Sequence, residues 1–268
     1  MSRALITGIT GFVGSHLAEY LLENTDWTIY GVMRWNSPLD NLVNVKDRIT
    51  LIDGDLTDAN SINKVVDQCR PDYVFHLAAQ SYVKASLAYP AATLHTNIVG
   101  TQHLMDALLN YASDAFIHNC SSSEVFGRVN KNYGPIDEKC PFAPASPYSI
   151  SKVGQDLIGR YYAEAHGLKV MTTRLFTHTG PRRGDVFFES SFAKQIAMIE
   201  MYLIDPPIMV GNLESTRTIL DVRDAVRAYH MLLTVDPQPG EVYNIGGTHT
   251  CKVGDILNEL NSNHYYVE

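Results

Sequence analysis

The feature that most constrains this chain lies at its start. An apolar run from Ala4 to Thr7 leads into Thr7-Gly8-Ile9-Thr10-Gly11-Phe12-Val13-Gly14, and Ser15 to Leu22 then carry helical spacing. Glycines three residues apart let the backbone turn tightly and come close to a ligand. A helix starting there points its first N–H groups into the turn, which suits a pyrophosphate. With 18 glycines in 268 residues, such a triplet is expected less than about 0.1 times by chance. Its place between a strand and a helix makes it a dinucleotide fingerprint.

The rest of the chain repeats the same alternation. Strand-length apolar runs recur at 28–33, 49–52, 73–77, 115–120 and 170–175, and helical spacing occupies 62–69, 91–109 and 148–165. This order predicts an α/β fold built on a doubly wound parallel (Rossmann) sheet. We expect a cofactor-binding domain over 1–175, with 212–235 returning to it, and a smaller C-terminal substrate-binding region over 176–268. Short strands are expected near 208–210 and 217–219, and a helix over 221–233.

Composition removes several classes. With 21 Lys and Arg against 29 Asp and Glu, the net charge of −8 does not provide the basic face that nucleic acid requires. No stretch approaches 18 consecutive apolar residues, and the opening MSRALITG is strand-like where a signal sequence would be basic and then apolar. No membrane association and a cytoplasmic location are expected. Cys69, Cys120, Cys140 and Cys251 are widely separated and no HExxH occurs, so free thiols are expected and no metal.

About 20 residues beyond the fingerprint, NAD enzymes place a carboxylate for the ribose, whereas an Arg accommodates the extra phosphate of NADP. The corresponding stretch is Met33-Arg34-Trp35-Asn36-Ser37, with an Arg and no acid. NADP is the favoured cofactor and NAD the alternative. Asp55 and Leu56, after the third strand, are placed to reach the adenine.

Tyr148 and Lys152 stand four residues apart at the start of a helix, hence on one face. The preceding strand ends in Ser121-Ser122-Ser123-Glu124, at the carboxyl edge where doubly wound sheets bind ligands. A free tyrosine titrates near 10, so a phenolate at neutral pH needs about 3 units, roughly 4 kcal/mol, of help from positive charge. Lys152 supplies part of it. Ser122 can hydrogen-bond the reacting oxygen while Tyr148 moves its proton. Hydride transfer alone does not need Glu124, so its carboxylate suggests a second proton abstraction beside a carbonyl made in the first step.

Taken together, Ala4-Leu5-Ile6-Thr7-Gly8-Ile9-Thr10-Gly11, His76-Leu77-Ala78-Ala79-Gln80-Ser81, the Ser-Ser-Ser-Glu strand end and Tyr148 with Lys152 resemble the extended short-chain dehydrogenase/reductases that act on nucleotide sugars. Pro181-Arg182-Arg183-Gly184, Gly211-Asn212-Leu213-Glu214 and Arg217 narrow the resemblance to the GDP-mannose 4,6-dehydratases and their relatives. It covers essentially the whole chain. The resemblance implies a Ser122, Tyr148, Lys152 triad with Glu124 as the dehydratase acid/base. It implies cofactor contacts from Thr7, Gly8, Thr10, Gly11, Phe12, Val13 and Gly14, from Arg34, Asp55 and Leu56, and from Leu77, Ala78, Ala79 and Gln80, with Tyr148 and Lys152. Substrate contacts would come from Ser81, Asn97, Ser123, Arg183, Lys194 and Arg217, the arginines holding the diphosphate.

The implied reaction is redox-neutral dehydration of a GDP-sugar, GDP-mannose first, by a homodimer or homotetramer. The alternatives are a GDP-4-keto-6-deoxy-sugar reductase, a GDP-heptose dehydratase, another nucleotide-sugar epimerase or dehydratase, and, more remotely, a non-catalytic NADP-binding sensor. Departures from the family are Ser122 where its dehydratases usually carry Thr, a shorter and less arginine-rich segment after Arg34, and an end at Glu268.

Overall fold

The computed structural model describes residues 1–129 and 133–261. The chain divides into two compact units, Met1–Phe176 with Arg223–Ile245, and Thr177–Val222 with the segment from Gly246 on. The end of the expected 176–268 region, residues 262–268, lies outside the described residues.

In the first unit the elements run β1 (Arg3–Thr7), α1 (Phe12–Asn24), β2 (Thr28–Met33), β3 (Thr50–Asp53), α2 (Ala59–Cys69), β4 (Tyr73–His76), α3 (Val83–Ala88), α4 (Pro90–Leu94), α5 (Gly100–Tyr111), β5 (Phe116–Cys120), α6 (Pro147–His166) and β6 (Lys169–Leu175). The segment that joins this unit is Arg223–Ile245, where 212–235 was expected; it adds most of α8 (Val222–Thr234) and β9 (Val242–Ile245). Seven strands form one parallel sheet in the order β3-β2-β1-β4-β5-β6-β9. The order reverses at β1 and β4, whose carboxyl ends are where doubly wound sheets bind their ligands.

Both faces of the sheet are covered, which explains the unbroken apolar runs. On one face Leu5, Val74, Ile117 and Val170 pack with Val65 and Val66 of α2 and Leu104 and Leu108 of α5, all essentially inaccessible. Each such side chain contributes about 1.5–3 kcal/mol. On the other face Tyr229 of α8 lies against His118, ring centroids 4.0 Å apart. Helix α6 is bounded by its own sequence. Ser146 caps it reciprocally with Ser149, Pro147 opens it, and Gly167 ends it at φ 71°.

The second unit holds β7 (His178–Thr179), α7 (Phe188–Glu200), β8 (Thr216–Asp221), β10 (His249–Lys252) and α9 (Val253–Asn261), with a three-stranded sheet in the order β10-β8-β7. Its core is Phe192, Ile196, Ile199, Ile208, Val253 and Leu257.

Two individual elements also differ from expectation. The 91–109 helix is interrupted by a wider π-turn at His95–Val99 between α4 and α5. The strand expected at 208–210 does not form. There the side chain of Gln195 takes the place of a neighbouring strand, accepting from Met209 N at 2.7 Å and donating to Met209 O at 3.1 Å.

Candidate active site

The glycine turn is built for close approach. At Gly14 an added Cβ would lie 2.3 Å from Gly8 O, and at Gly8, φ +72°, it would lie 2.9 Å from the Ala78 backbone. Gly11 is the N-cap of α1 and supplies no side-chain cap. A cradle that side chains would fill, opening onto a helix N-terminus, fits a dinucleotide pyrophosphate. Beyond the ends of β2 and β3 lies a groove of about 210 Å³ lined by Arg34, Trp35, Asp53, Asp55 and Asp58. Burial pushes the Asp55 carboxyl up, but hydrogen bonds from Thr57 and the charges of Arg34 and His95 bring it below its ordinary value. Leu56 points into the core, packed against Gly100.

Several residues expected to touch ligands are structural ties. Thr7 is fully buried. Its hydroxyl accepts from Leu77 N and Ala78 N, both at 3.1 Å, and so donates to His76 Nδ1 at 2.9 Å. His76 Nε2 then donates to Thr101 Oγ1 at 2.9 Å, which donates to the Asn97 carbonyl at 2.6 Å. Burial, then the Lys152 charge, pushes the His76 pKa down to about 3, so the ring is neutral.

Asn97, expected beside the substrate, is 1% exposed. Its oxygen accepts from Gln80 N at 2.8 Å, and its nitrogen donates to Gln80 O at 3.0 Å and to Ser151 Oγ at 2.8 Å. Ser151 passes its own hydrogen to the Tyr148 carbonyl. The Gln80 side chain caps the next segment through Tyr82 and Thr93. Leu77, Ala78 and Ala79 are half-buried just past the end of β4, and Ser81 is exposed.

Tyr148 and Ser122 are each 8% exposed, and Lys152 is buried. Lys152 Nζ lies 6.0 Å from the centre of the Tyr148 ring. It donates to the Cys120 carbonyl at 2.8 Å and to Gln155 Oε1 at 2.7 Å, and burial lowers its pKa, with the neighbouring Cys120 opposing. Ser122 caps a 3-10 turn, Ser123–Phe126, and accepts from Glu124 N at 3.2 Å. That turn packs on α6. Val125 and Phe126 are buried while Glu124 is exposed, so a carboxylate stands on an anchored turn that begins directly after Ser122. Sequence reasoning missed Gln155, which holds the lysine, and Asn119, which holds Gln155. Position 155, three residues after 152, was the available signal.

In the second unit, Arg183 Nε pairs with Glu189 Oε2 at 3.3 Å, and its guanidinium lies 4.1 Å from the centre of the Phe187 ring. Lys194 pairs with Asp185 at 2.5 Å in an exposed bridge. Arg217 is exposed on β8. Among the described residues no cluster of His, Cys, Asp or Glu could hold a metal ion, and no helix is long and apolar enough to cross a membrane.

A parallel sheet with its glycine turn at the strand-order reversal, and a Ser, Tyr, Lys group at the neighbouring strand end, defines a Rossmann-type short-chain dehydrogenase/reductase. Comparison with known proteins narrows this. Residues 5–266 match the family model described as GDP-mannose 4,6 dehydratase, and the chain belongs to that family.

The GDP-mannose 4,6 dehydratase of Drosophila melanogaster is 33% identical over 261 residues, 93% of this chain. The alignment spans 65% of that relative's length, just under two thirds. The GDP-6-deoxy-D-mannose reductase of Pseudomonas aeruginosa is 32% identical, covering 96% of this chain and 79% of that protein. Among solved structures, RMD from Pseudomonas aeruginosa complexed with NADPH has a TM-score of 0.83 and 31% identity, covering 98% of this chain and 82% of that one.

Proposed function

We propose that this chain catalyses the redox-neutral 4,6-dehydration of a GDP-sugar, GDP-mannose to GDP-4-keto-6-deoxymannose, with a nicotinamide dinucleotide seated on the glycine turn. The observation that carries this reading is the exposed Glu124 on its anchored turn, directly after Ser122. Held at the turn of Gly8, Gly11 and Gly14, a nicotinamide would supply a reversible hydride acceptor, so that the hydride lost at carbon 4 could be restored at carbon 6. Tyr148 takes the proton of the 4-hydroxyl, the Lys152 charge favours the phenolate, and Ser122 hydrogen-bonds the oxygen. The ketone acidifies carbon 5. Glu124 removes that proton and delivers it to the departing 6-hydroxyl, which leaves as water; carbon 5 then takes a proton that exchanges with solvent, balancing the one Tyr148 accepted and gives up. Arg183 and Arg217 are assigned to the diphosphate, with Lys194 the weaker candidate because Asp185 already holds it.

NADP is the proposed cofactor, on the strength of Arg34 in the groove and the NADPH bound by the Pseudomonas relative. The proposed assembly is a dimer through α6. Ile150, Leu157 and Tyr161 are 49%, 50% and 56% exposed, and their spacing of seven and four residues puts them on one face. Four free cysteines suit a reducing compartment, the cytoplasm.

A second reading, reduction of a GDP-4-keto-6-deoxy sugar, is favoured by the similarity to the Pseudomonas reductase. One experiment separates the two. Incubated with GDP-mannose and no added cofactor, a dehydratase yields a product lighter by one water, carrying solvent deuterium at carbon 5. Unchanged GDP-mannose in that incubation, with stoichiometric consumption of NADPH and an unlabelled carbon 5 when a GDP-4-keto-6-deoxy sugar and NADPH are supplied instead, would establish the reductase.

A further inference from the structure

The elimination step requires a carboxylate held still, yet Glu124 is itself exposed. A buried guanidinium on another element lies against its turn. Arg174, near the end of β6, is 2% exposed. Its Nε and Nη2 donate to the two oxygens of Asp156 at 2.8 and 3.2 Å. Asp156 lies on α6 one turn beyond Lys152 and is fully buried. The remaining edge of the guanidinium faces elsewhere: Nη1 donates to the Glu138 carbonyl at 2.8 Å. Its carbon lies 5.4 Å from the centre of the Phe126 ring and 4.7 Å from that of Phe142.

Phe126 belongs to the turn that carries Glu124, and Glu138 and Phe142 belong to the connection from that turn to α6. Two further contacts close the arrangement. Ala143 N donates to Val125 O at 3.0 Å, and at Gly127, φ +54°, an added Cβ would lie 1.8 Å from Ala143 O. Arg160 adds a second guanidinium to Asp156 at 2.8 Å and lies 5.5 Å from the Phe142 ring centre.

A buried ion pair is a poor way to gain stability alone, since apolar side chains of similar volume often do as well. A guanidinium used on both edges and against two rings instead fixes geometry. Here one edge grips the helix that carries Tyr148 and Lys152, and the rest grips the turn and connection that carry Glu124. We propose that Arg174 is a positioning residue that sets the Glu124 turn against the Tyr148 and Lys152 helix, and so governs elimination more than hydride transfer. The inference rests on the assignment of Glu124 as the acid/base.

The test compares Arg174→Lys, Phe142→Leu and Glu124→Gln with the wild type on GDP-mannose. Arg174→Lys keeps a charge opposite Asp156 but cannot also reach Glu138, and Phe142→Leu leaves the ion pairs intact. Water loss is followed by mass, hydride transfer by the near-ultraviolet absorbance of reduced nicotinamide, and the turn by amide hydrogen exchange over residues 122–129. Both positioning variants are expected to slow water loss by about tenfold or more, with hydride transfer within about threefold. Exchange in the turn should rise while α6 stays protected.

Equal losses in both steps, or unchanged water loss with a loosened turn, would overturn the inference. Unimpaired water loss in Glu124→Gln would overturn the reading of Glu124, and this inference with it. Blocked water loss in Glu124→Gln, with both positioning variants unaffected, would overturn the inference alone. If Arg174→Lys does not fold, Phe142→Leu decides.

Discussion

Lys152 Nζ and the carbonyl oxygen of Cys120 are 2.8 Å apart, so the last residue of β5 receives a hydrogen bond from the second turn of α6. Gln155 completes the hold. It accepts from Lys152 Nζ at 2.7 Å, donates to Asn119 Oδ1 at 3.0 Å, and receives Asn119 Nδ2 on its own carbonyl at 3.0 Å. Two of the three hydrogens of the ammonium are thereby directed into protein, and its position relative to the Tyr148 ring is set by the strand end and by its own helix.

This arrangement makes Gln155 the residue whose loss should free the lysine without removing it. We expect Gln155→Leu to lower kcat about tenfold, with KM for the sugar nucleotide changed less than about twofold, because orientation at the reacting centre is lost while the residues assigned to the diphosphate are untouched. Asn119 Oδ1, left without the Gln155 side chain while Nδ2 keeps the Gln155 carbonyl, should cost about 1–3 kcal/mol in denaturant unfolding. Steady-state kinetics and urea titration check both; an unchanged kcat would show that the Cys120 carbonyl alone suffices.

The glycine turn gives a sharper expectation. A Cβ at Gly14 would sit 2.3 Å from Gly8 O and 2.8 Å from Ile9 Cα, both backbone atoms that no rotamer change can move. At Gly11 the nearest atom is 3.2 Å away. Gly14→Ala should therefore weaken dinucleotide binding by about 2 kcal/mol or more, roughly thirtyfold, and Gly11→Ala by clearly less. Calorimetric titration with NADPH compares them directly.

What was legible in the sequence was local. The glycine turn and the Tyr148 and Lys152 spacing are set within eight residues, and β2 falls at 28–33 as its apolar run indicates. What was not legible depends on distant partners. The 3.6-residue apolar spacing continues through 91–109, and nothing in it announces the π-turn, where the Asn97 side chain closes on Gln80, 17 residues away. For the same reason Asn97 reads as a polar residue available to a substrate when its carboxamide is already engaged. Arg174 reads as a strand-end residue, because Asp156 and Glu138 reach it only once α6 has folded back onto β6.

Acid should unfold the first unit through two histidines that sit neutral in its core. Burial foremost pushes both His76 and His118 down to about 3, with the Lys152 charge adding at each and His76 adding at His118. Both titrate near 6.5 when unfolded. The unfolded chain binds these protons first, so stability is full above about pH 6.5 and falls as pH drops toward 3. With two groups the loss at pH 5 is about 4 kcal/mol. Urea unfolding at a series of pH values measures the slope, and His118→Asn should roughly halve it between pH 6 and 5. A slope unaltered by that substitution would place the acid sensitivity in other groups.

The choice between NADP and NAD turns on a groove of mixed charge. Arg34 stands at its edge with its backbone N–H held by Ser37 Oγ at 3.2 Å, and Asp53, Asp55 and Asp58 line the same space. With Asp55 held below its ordinary value, its carboxylate is ionised at neutral pH. A 2′-phosphate near Arg34 gains a charge-assisted hydrogen bond of about 1.5–3 kcal/mol, offset by repulsion from the neighbouring acids. The preference for NADPH over NADH should therefore be modest, about tenfold, and should shrink in high salt because Arg34 is exposed. Arg34→Ala should abolish it by weakening NADPH alone, whereas Asp53→Asn should widen it by relieving repulsion. Parallel titrations with the two dinucleotides at low and high ionic strength read both effects, and a ratio unaffected by Arg34→Ala would remove this residue from cofactor discrimination.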